Sequence, residues 1–372
     1  MIRLNVTLGI LCWPLLMAHA DSLRLMNGES HKGKLAMAAT GIELTSDDAK
    51  ATFDLANVLL ANFGEPAGSG TASFPAGVVL TNGSFVAGAL KEFNGAAVKL
   101  GTPAQPIMVP SISIAAIVFA PIPCATILQI PAGKTGAILP NGDFFAGAFV
   151  GIKKNAAIVN STLFGPHPFA INSQVSAVIL RNLQAKAAAR YEIGIKNGSR
   201  FFTNDVKIEK DALLLNDLIL GPVKVGNAEL AGIRAGSGRC QSLTEMKPMV
   251  VVDGAGKDAA SSVSSGGGEE GSSTLSTPLN VAVTYAIPPG LPVFSSDIAV
   301  PKEAAAGARV TFAVYCDGRL LFRSIQVGSA IAAHPIRISC GAAQRIALRV
   351  EPAAPGSDAV VGQWITPMFL HP

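Results

Sequence analysis

The chain contains four copies of an Asn-Gly pair that follows an apolar residue, at nearly constant spacing. The glycines of successive pairs are 55, 59 and 56 residues apart. A second glycine follows five residues later in three copies, whereas the fourth copy has Thr203 there. The pairs are Asn27-Gly28, Asn82-Gly83, Asn141-Gly142 and Asn197-Gly198, and the later glycines are Gly33, Gly88 and Gly147. Self-similarity at a fixed period indicates a repeat architecture in the first two thirds of the chain.

Each repeat has the sequence signals of a β-hairpin. Asn-Gly favours positive φ at both central turn residues, so we predict type I′ turns, and the later glycine is expected to bend the returning strand. We predict that residues 21–250 form four antiparallel units of about four strands, arranged as small meanders or barrels, because one unit cannot bury its apolar face alone. A short helix is predicted at 183–190. We interpret the Asn-Gly pairs as turn chemistry rather than as a row of ligand-contacting loops.

The N-terminus has the features of an export signal. Arg3 precedes an apolar segment that ends in Ala18-His19-Ala20, the small-x-small pattern of a cleavage site. The apolar segment is shorter than the roughly 20 residues of a membrane-spanning helix. We therefore predict a signal peptide at 1–20, a mature chain without a membrane span, and a secreted, periplasmic or cell-envelope location.

Composition favours β structure and argues against nucleic acid as a partner. Charged residues make up 15% of the chain and the formal net charge is +4, which gives no basic footprint for nucleic acid. Gly and Pro number 38 and 24, as is typical of short strands joined by turns. The cysteines outside the signal form no C-x-x-C pair and no Cys/His cluster, so no metal site is predicted. They are Cys124, Cys240, Cys316 and Cys340.

No catalytic residue or cofactor site is predicted. Gly133-Lys134-Thr135 resembles the end of a phosphate-binding loop, but Leu128 occupies the place of that loop's first glycine. No G-x-S-x-G motif occurs, and the histidines form no recognisable triad. We predict that the protein is not an enzyme. A hydrolase with paired carboxylates is the third hypothesis.

A change of composition marks the boundary between two parts of the chain. Residues 254–273 are almost entirely Gly, Ser, Ala, Asp and Glu, so 251–275 is predicted to be a flexible linker. Beyond it, short alternating segments predict an antiparallel β-sandwich at 276–372. Cys316 and Cys340 lie on inward faces of their strands, so we predict a disulfide between them, with buried free thiols as the alternative. The pairing of Cys124 and Cys240 stays open.

Several motifs of the C-terminal part occur in the order and spacing of a known family. They are Val283-Thr284-Tyr285, Pro288-Pro289-Gly290, Phe294, residues 310–314, Asp317-Gly318-Arg319-Leu320-Leu321, Ser324, residues 335–339, Gly341-Ala342, residues 346–350 and Trp364. In these motifs residues 278–371 resemble the NPCBM family, a carbohydrate-binding module also found in family 98 glycoside hydrolases. The resemblance implies a sandwich of jelly-roll, galactose-binding-like type. Residues 239–248 resemble the junction before this module in secreted proteins of planctomycete-type bacteria.

Sugar sites commonly combine an exposed aromatic ring with polar groups. Tyr315 alternates with inward residues and is expected to face outward near Arg323, whereas Tyr285 alternates with core residues and is expected to be buried. Tyr315, Arg323 and Trp364 are the candidate ligand-binding residues, and a core position is the alternative for Trp364. The leading hypothesis is a non-catalytic exported carbohydrate-binding protein. The alternative is a structural or protein-interaction component of the cell envelope, so a glycan and an envelope protein are the two candidate partners.

Overall fold

The computed structural model describes residues 21–46, 49–64, 73–101, 106–131, 133–171, 173–181, 189–210, 212–217, 219–267, 273–304, 308–329, 333–353 and 360–371. The predicted signal peptide lies outside these residues, as does most of the predicted helix at 183–190. The two described residues of that segment, Ala189 and Arg190, are not helical. The chain is all-β as predicted, and α1 (Cys124–Leu128) is the only α-helix in the described ranges.

The four repeats contribute their strands in the same order along the chain. The first repeat contains β1 (Asp21–Leu25), β2 (Ser30–Ala38), β3 (Gly41–Thr45), β4 (Lys50–Phe53) and β5 (Val58–Asn62). The second contains β6 (Ser73–Phe74), β7 (Gly77–Leu80), β8 (Phe85–Ala87), β9 (Ala89–Phe93), β10 (Ala97–Gly101), β11 (Ile107–Pro110) and β12 (Ile114–Val118). The third contains β13 (Ile122–Pro123), β14 (Gly136–Ile138), β15 (Phe144–Ala146), β16 (Ala148–Lys153), β17 (Ala156–Ser161), β18 (Gly165–Ala170) and β19 (Ala177–Ile179). The fourth contains β20 (Tyr191–Ile195), β21 (Arg200–Thr203), β22 (Val206–Glu209), β23 (Ala212–Asp217), β24 (Gly221–Gly226) and β25 (Leu230–Ala235).

Strand pairing follows one scheme in all four repeats. The strand before the Asn-Gly turn pairs with the strand after it and with the last strand of the repeat, as β1 does with β2 and β5. The middle strands form a three-stranded meander, for example β16-β17-β18. Last strands join the first repeat to the fourth (β5 with β25) and the second to the third (β12 with β19), and β8 meets β21 between the two halves. The described strands therefore show the predicted meanders. Those of the second, third and fourth repeats are separate three-stranded sheets, whereas the remaining strands of the repeats, except β6 and β13, join into one fourteen-stranded sheet.

All four Asn-Gly turns share one geometry, which differs from the predicted type I′ turn. The glycine N–H donates to the carbonyl of the residue three positions earlier at 2.9–3.0 Å, and the glycine φ lies between +89° and +97°. The Asn does not have positive φ, and its side-chain oxygen accepts the backbone N–H two residues later at 2.8–3.1 Å. This is the three-residue hairpin, a type I turn followed by a left-handed glycine. The type I′ prediction is wrong because this loop needs positive φ only at the glycine.

The second glycine of the repeat is required by close approach of the backbone. A Cβ on Gly33, Gly88 or Gly147 would lie 2.7–2.8 Å from a carbonyl oxygen of the neighbouring strand, too close for any side chain. Thr203 occupies this position in the fourth repeat, and its hydroxyl lies 3.1 Å from the carbonyl oxygen of Asn216. A hydrogen bond thus replaces the close approach in that copy.

A reciprocal contact joins the two halves of the sheet. Ser84 and Ser199 each follow an Asn-Gly pair, and both are buried. The Ser84 hydroxyl oxygen accepts the Phe202 N–H at 3.1 Å, and the Ser199 hydroxyl oxygen accepts the Ala87 N–H at 2.9 Å. The two repeats that end the sheet have exposed acids at the same position, where charge disfavours pairing with another strand edge. These acids are Glu29 and Asp143.

Replacement of the reciprocal serine should destabilise the protein. We expect Ser199→Ala to lower the free energy of unfolding by about 1–3 kcal/mol, because the buried Ala87 N–H loses its acceptor. Asp143→Ala, at the equivalent exposed position, should change it by no more than about 0.5 kcal/mol. Chemical denaturation of both variants measures the difference. If both substitutions lowered the free energy of unfolding equally, the stabilising role of the Ser199 hydrogen bond would be contradicted.

The C-terminal strands form two facing antiparallel sheets. They are β26 (Cys240–Ser242), β27 (Val250–Val252), β28 (Ser264–Gly267), β29 (Ser273–Pro278), β30 (Ala282–Ala286), β31 (Val293–Ala299), β32 (Arg309–Cys316), β33 (Arg319–Arg323), β34 (Val327–Gly328), β35 (His334–Ser339), β36 (Arg345–Pro352) and β37 (Val361–Leu370). The docked sheet, so named for its contact with the repeats, has the order β28-β29-β37-β31-β35, with β26 also paired to β37. The free sheet has the order β27-β30-β36-β32-β33, with β34 paired to β32. The predicted β-sandwich is present, with one apolar core between its sheets.

The described part of the predicted linker belongs to the sandwich. β27 pairs with β30, and β28 pairs with β29. Val251 is buried in the core and Val263 packs against it. The linker prediction is wrong for these residues because backbone hydrogen bonds to an existing strand edge order a segment whose side chains are small. Residues 268–272 lie outside the described ranges.

Arg239 joins the repeat region to the sandwich. It directly precedes β26 and is buried, and its guanidinium donates to the carbonyl oxygens of Leu55, Ala56 and Val58. It also lies over the Tyr191 ring, 5.3 Å from the centroid. Burial lowers the pKa of this arginine from its ordinary value. One side chain thus serves as hydrogen-bond donor to the first repeat and ring contact to the fourth.

Substitution of Arg239 should lower the stability of the folded protein. Lysine lacks the planar fork that reaches several carbonyls, so Arg239→Lys is expected to lower the free energy of unfolding by about 2–3 kcal/mol. Arg234→Ala removes an exposed arginine of β25 and should cost no more than about 0.5 kcal/mol. Thermal or chemical unfolding of the two variants provides the measurement. An Arg239→Lys protein as stable as the parent would refute the assigned role.

Candidate functional site

The outer face of the free sheet is built by simple alternation. Along β36, Leu348 and Val350 point into the core, so Arg349 and Glu351 point outward. Along β32, Val314 and Cys316 point inward and the intervening tyrosine points outward. In the strand register, Ala313 lies opposite both Arg323 on β33 and Arg349 on β36. The small alanine side chain therefore lies between two guanidinium groups.

Glu351 holds this face together through three contacts. Its carboxylate accepts the Tyr315 hydroxyl hydrogen bond at 3.2 Å. One oxygen lies 2.8 Å from a nitrogen of Arg323, and the other lies 3.8 Å from a nitrogen of Arg349. The Glu351 side chain is 15% exposed, whereas that of Arg323 is 53% exposed. A largely buried carboxylate thus orients a phenol ring and an arginine that remain accessible from solvent.

The arrangement offers more donors than acceptors to a bound molecule. Two guanidinium groups share one carboxylate, and the Arg349 Nε is buried without a hydrogen-bond partner. Tyr315 presents a flat ring two residues further along β32 than Ala313, which lies between these arginines. Ring faces stack on apolar faces of ligands, and guanidinium forks donate to oxygens in fixed directions. Recognition of an oxygen-rich ring by stacking and hydrogen bonding fits this chemistry.

The structure brings together two of the three residues singled out from the sequence. Tyr315 and Arg323 share Glu351 as a partner. Trp364 is instead fully buried, with its ring 5.0 Å from that of Phe312 in an edge-on contact. The ligand-binding role proposed for Trp364 is therefore wrong, and the alternative core position describes it.

Two residues of the face were missed at the sequence level. Glu351 and Arg349 continue the alternation of β36 beyond its inward apolar residues, so this pattern was the signal that could have found them. Tyr285 was expected to be buried and is 2% exposed, and burial raises the pKa of its hydroxyl to about 12. Its confirmed core position leaves Tyr315 as the tyrosine of the face.

The predicted Cys316–Cys340 disulfide is not present in the structure. None of the four described cysteines is part of a disulfide. Cys316 and Cys340 are nevertheless neighbours in the core, where the Cys316 thiol forms a side-chain hydrogen bond to Cys340. That hydrogen bond, together with burial, raises the pKa of Cys316. The Sγ of Cys240 is buried 3.2 Å from the Ala235 carbonyl oxygen, and Cys240 forms no disulfide.

The disulfide between Cys316 and Cys340 stays a prediction. In a buffer of reduced and oxidised glutathione, the two thiols are expected to lose two hydrogens to the oxidised glutathione and form one S–S bond. Intact-mass measurement under non-reducing conditions would show the loss of about two mass units, and Cys340→Ser would abolish it. Retention of both free thiols in the folded parent protein under these conditions would count against the bond.

No group of three or more His, Cys, Asp or Glu side chains in the described ranges is placed to hold a metal ion. In the same ranges, no helix has the length and apolar character needed to cross a membrane.

The C-terminal sandwich of this all-β chain is the part for which a family match is found. The family model described as the NPCBM/NEW2 domain matches residues 274–370. This match confirms the resemblance seen in the sequence motifs. The strands β26, β27 and β28 join its sheets although they precede the matched segment. No curated protein sequence matches the chain significantly.

Solved structures of CBM51 modules are similar in part. CBM51 from Clostridium perfringens GH95, solved in complex with methyl-galactose, has 20% identity and a TM-score of 0.27, covering 35% of this chain and 99% of its own. CBM51-2 with the INT domains of Clostridium perfringens ZmpB, solved with GlcNAc, has 14% identity and a TM-score of 0.30, and the match spans 57% of this chain but only 44% of that one. The tandem CBM51 modules of a Streptococcus pneumoniae family 98 glycoside hydrolase have 10% identity and a TM-score of 0.30, over 80% and 88% of the two chains. TM-scores of this size are too low to transfer a ligand or a site.

Proposed function

We propose that the protein is a non-catalytic exported binding protein and that its C-terminal domain binds a carbohydrate on the outer face of the free sheet. The observation that supports this most directly is the Tyr315 ring, held beside Arg323 and Arg349 by Glu351. The match of residues 274–370 to a carbohydrate-binding-module family gives the same class of ligand. Export rests on the sequence features of residues 1–20.

The chemistry of the face suits a pyranose ring. The Tyr315 ring offers a flat apolar surface for the C–H groups of a sugar. Arg323 and Arg349 offer N–H donors to hydroxyl oxygens, and Glu351 is an acceptor for a hydroxyl hydrogen. Ala347 is the register partner of Tyr315 on β36, and Ala313 lies two residues before the tyrosine on the same face of β32. Both alanine side chains are small and leave room above the sheet.

The same face gives no support for hydrolysis. Glycoside hydrolases use two carboxyl groups on opposite sides of the scissile bond. Glu351 is the single acid among the described outward residues of the free-sheet strands, and it is held by a tyrosine and arginines. Binding without cleavage is the function that this arrangement favours.

Removal of the ring should weaken binding. On a glycan array, the purified protein is expected to retain at least one carbohydrate, and Tyr315→Ala should bind it about tenfold more weakly, the equivalent of about 1.4 kcal/mol. Phe164→Ala is the matched control, because Phe164 is an exposed aromatic residue of the third repeat, outside the domain. Its binding should equal that of the parent protein.

The alternative hypothesis, a structural or protein-interaction component of the envelope, makes a different prediction. Leu163 and Phe164 are exposed at the loop between β17 and β18 and form an apolar tip on the repeat region. If no glycan on the array retains the protein, the carbohydrate proposal is wrong. Sugar-independent capture of an envelope protein, lost in Phe164→Ala, would favour the alternative.

A further inference from the structure

The two outer faces of the sandwich have different surroundings. The docked sheet contacts the repeat region, where Arg24 pairs with Asp297 at 3.3 Å and Arg337 donates to the Met26 carbonyl oxygen. β26, next to the junction, pairs with β37 of the same sheet. All hydrogen bonds and ion pairs found between the two units, within the described ranges, involve the docked sheet or the junction. The face of the free sheet is therefore turned away from the repeats.

The free face is rich in arginine and poor in acid. Its strands have outward arginines on β32, β33 and β36, and Glu351 is the one outward acid among their described residues. The arginines are Arg309, Arg323, Arg345 and Arg349. The docked face has Asp297 and Arg337 at comparable outward positions and is balanced in charge. The positive charge of the domain is thus concentrated on the face that solvent reaches.

Two of these arginines have no ion-pair partner in the described part of the chain. Arg309 and Arg345 are exposed, and the carboxylates described near them are already engaged. Glu351 contacts Arg323 and Arg349, and Asp317 accepts the backbone N–H groups of Gln344 and Arg345. The free guanidinium groups retain their donors for an external anion.

The arginines are spread along the strands rather than gathered at one point. Arg345 and Arg349 are four residues apart on β36, roughly 14 Å at about 3.4 Å per residue. Arg309 extends the row at the other end, because it lies two residues before Thr311, which pairs with Glu351. Tyr315 lies within this row. A single small anion would reach one or two of these groups, whereas an extended chain would reach all of them.

We infer that the free face binds an anionic polysaccharide, a chain of uronate or sulfated sugars that lies along β36 and β32. The inference rests on the proposed carbohydrate binding and adds the charge of the ligand. Arginine forks match the paired oxygens of carboxylate and sulfate groups. The tyrosine ring would stack on a sugar between two charged units.

Matched pairs of polymers isolate the charge of the ligand. Affinity electrophoresis of the purified protein is run with dextran sulfate against dextran, and with polygalacturonate against its methyl ester. The protein is expected to bind one charged member at least tenfold more tightly than its uncharged counterpart, and added salt should weaken this binding. Arg309→Ala and Arg345→Ala should each weaken it about threefold. Arg234→Ala, an exposed arginine of the repeats, should leave it unchanged.

The outcomes separate this inference from the proposed function. Equal binding of charged and uncharged polymers, lost in Tyr315→Ala, would overturn the anionic ligand and leave carbohydrate binding intact. Absence of binding to all four polymers and to a glycan array would overturn both. An oligodeoxynucleotide bound as tightly as the anionic polysaccharide would also overturn the inference, because the face would then be a general polyanion surface.

Discussion

The left-handed glycine of each Asn-Gly turn is the constraint on which the repeat region depends. It closes a three-residue loop, and the loop sets the register of the hairpin. With the register set, the fifth residue after the glycine lies against a carbonyl of the neighbouring strand, where Gly33, Gly88 and Gly147 leave no side chain. The residue directly after the glycine lies at the strand edge, where Ser84 and Ser199 join the halves of the sheet. One local conformation therefore determines both the bend of each unit and its contact with the next.

The sandwich depends in turn on this sheet. Arg239 satisfies carbonyl groups of the first repeat and contacts the ring of Tyr191 in the fourth, and the chain continues directly into β26 at the edge of the docked sheet. A small apolar cluster of Leu59, Cys240 and Leu370 lies at the same junction. The sandwich is thus anchored on its docked face by apolar packing and by the Arg24–Asp297 ion pair, and the opposite face is the proposed binding face.

The candidate site follows from the alternation of inward and outward side chains along the strands of the free sheet. Core residues such as Trp364 and Phe312 occupy the inner positions of the strands, so Tyr315, Arg349 and Glu351 occupy the outer ones. The charged groups stabilise one another in pairs, and Glu351 is shared among them. The shared carboxylate of Glu351 is largely buried. It therefore orients the more exposed Tyr315 and Arg323 while presenting little of its own surface to a ligand. The proposed binding face is consequently a flat, positively charged surface rather than a deep cleft.

Local patterns in the sequence determined the repeat, the β class, the inward or outward side of Tyr315 and Tyr285, and the family of the C-terminal segment, because turn chemistry and period-2 alternation act over a few residues. Tertiary structure decided which strands became neighbours. Only strand pairing joined the first repeat to the fourth, brought Glu351 beside Tyr315 and Arg323, and gave β28 an edge to pair with despite its small side chains. Trp364 shows the same limit, since an aromatic residue suits a core and a sugar site equally until its neighbours are known. Alternation assigns a side chain to a face, but contacts between distant strands decide what that face touches.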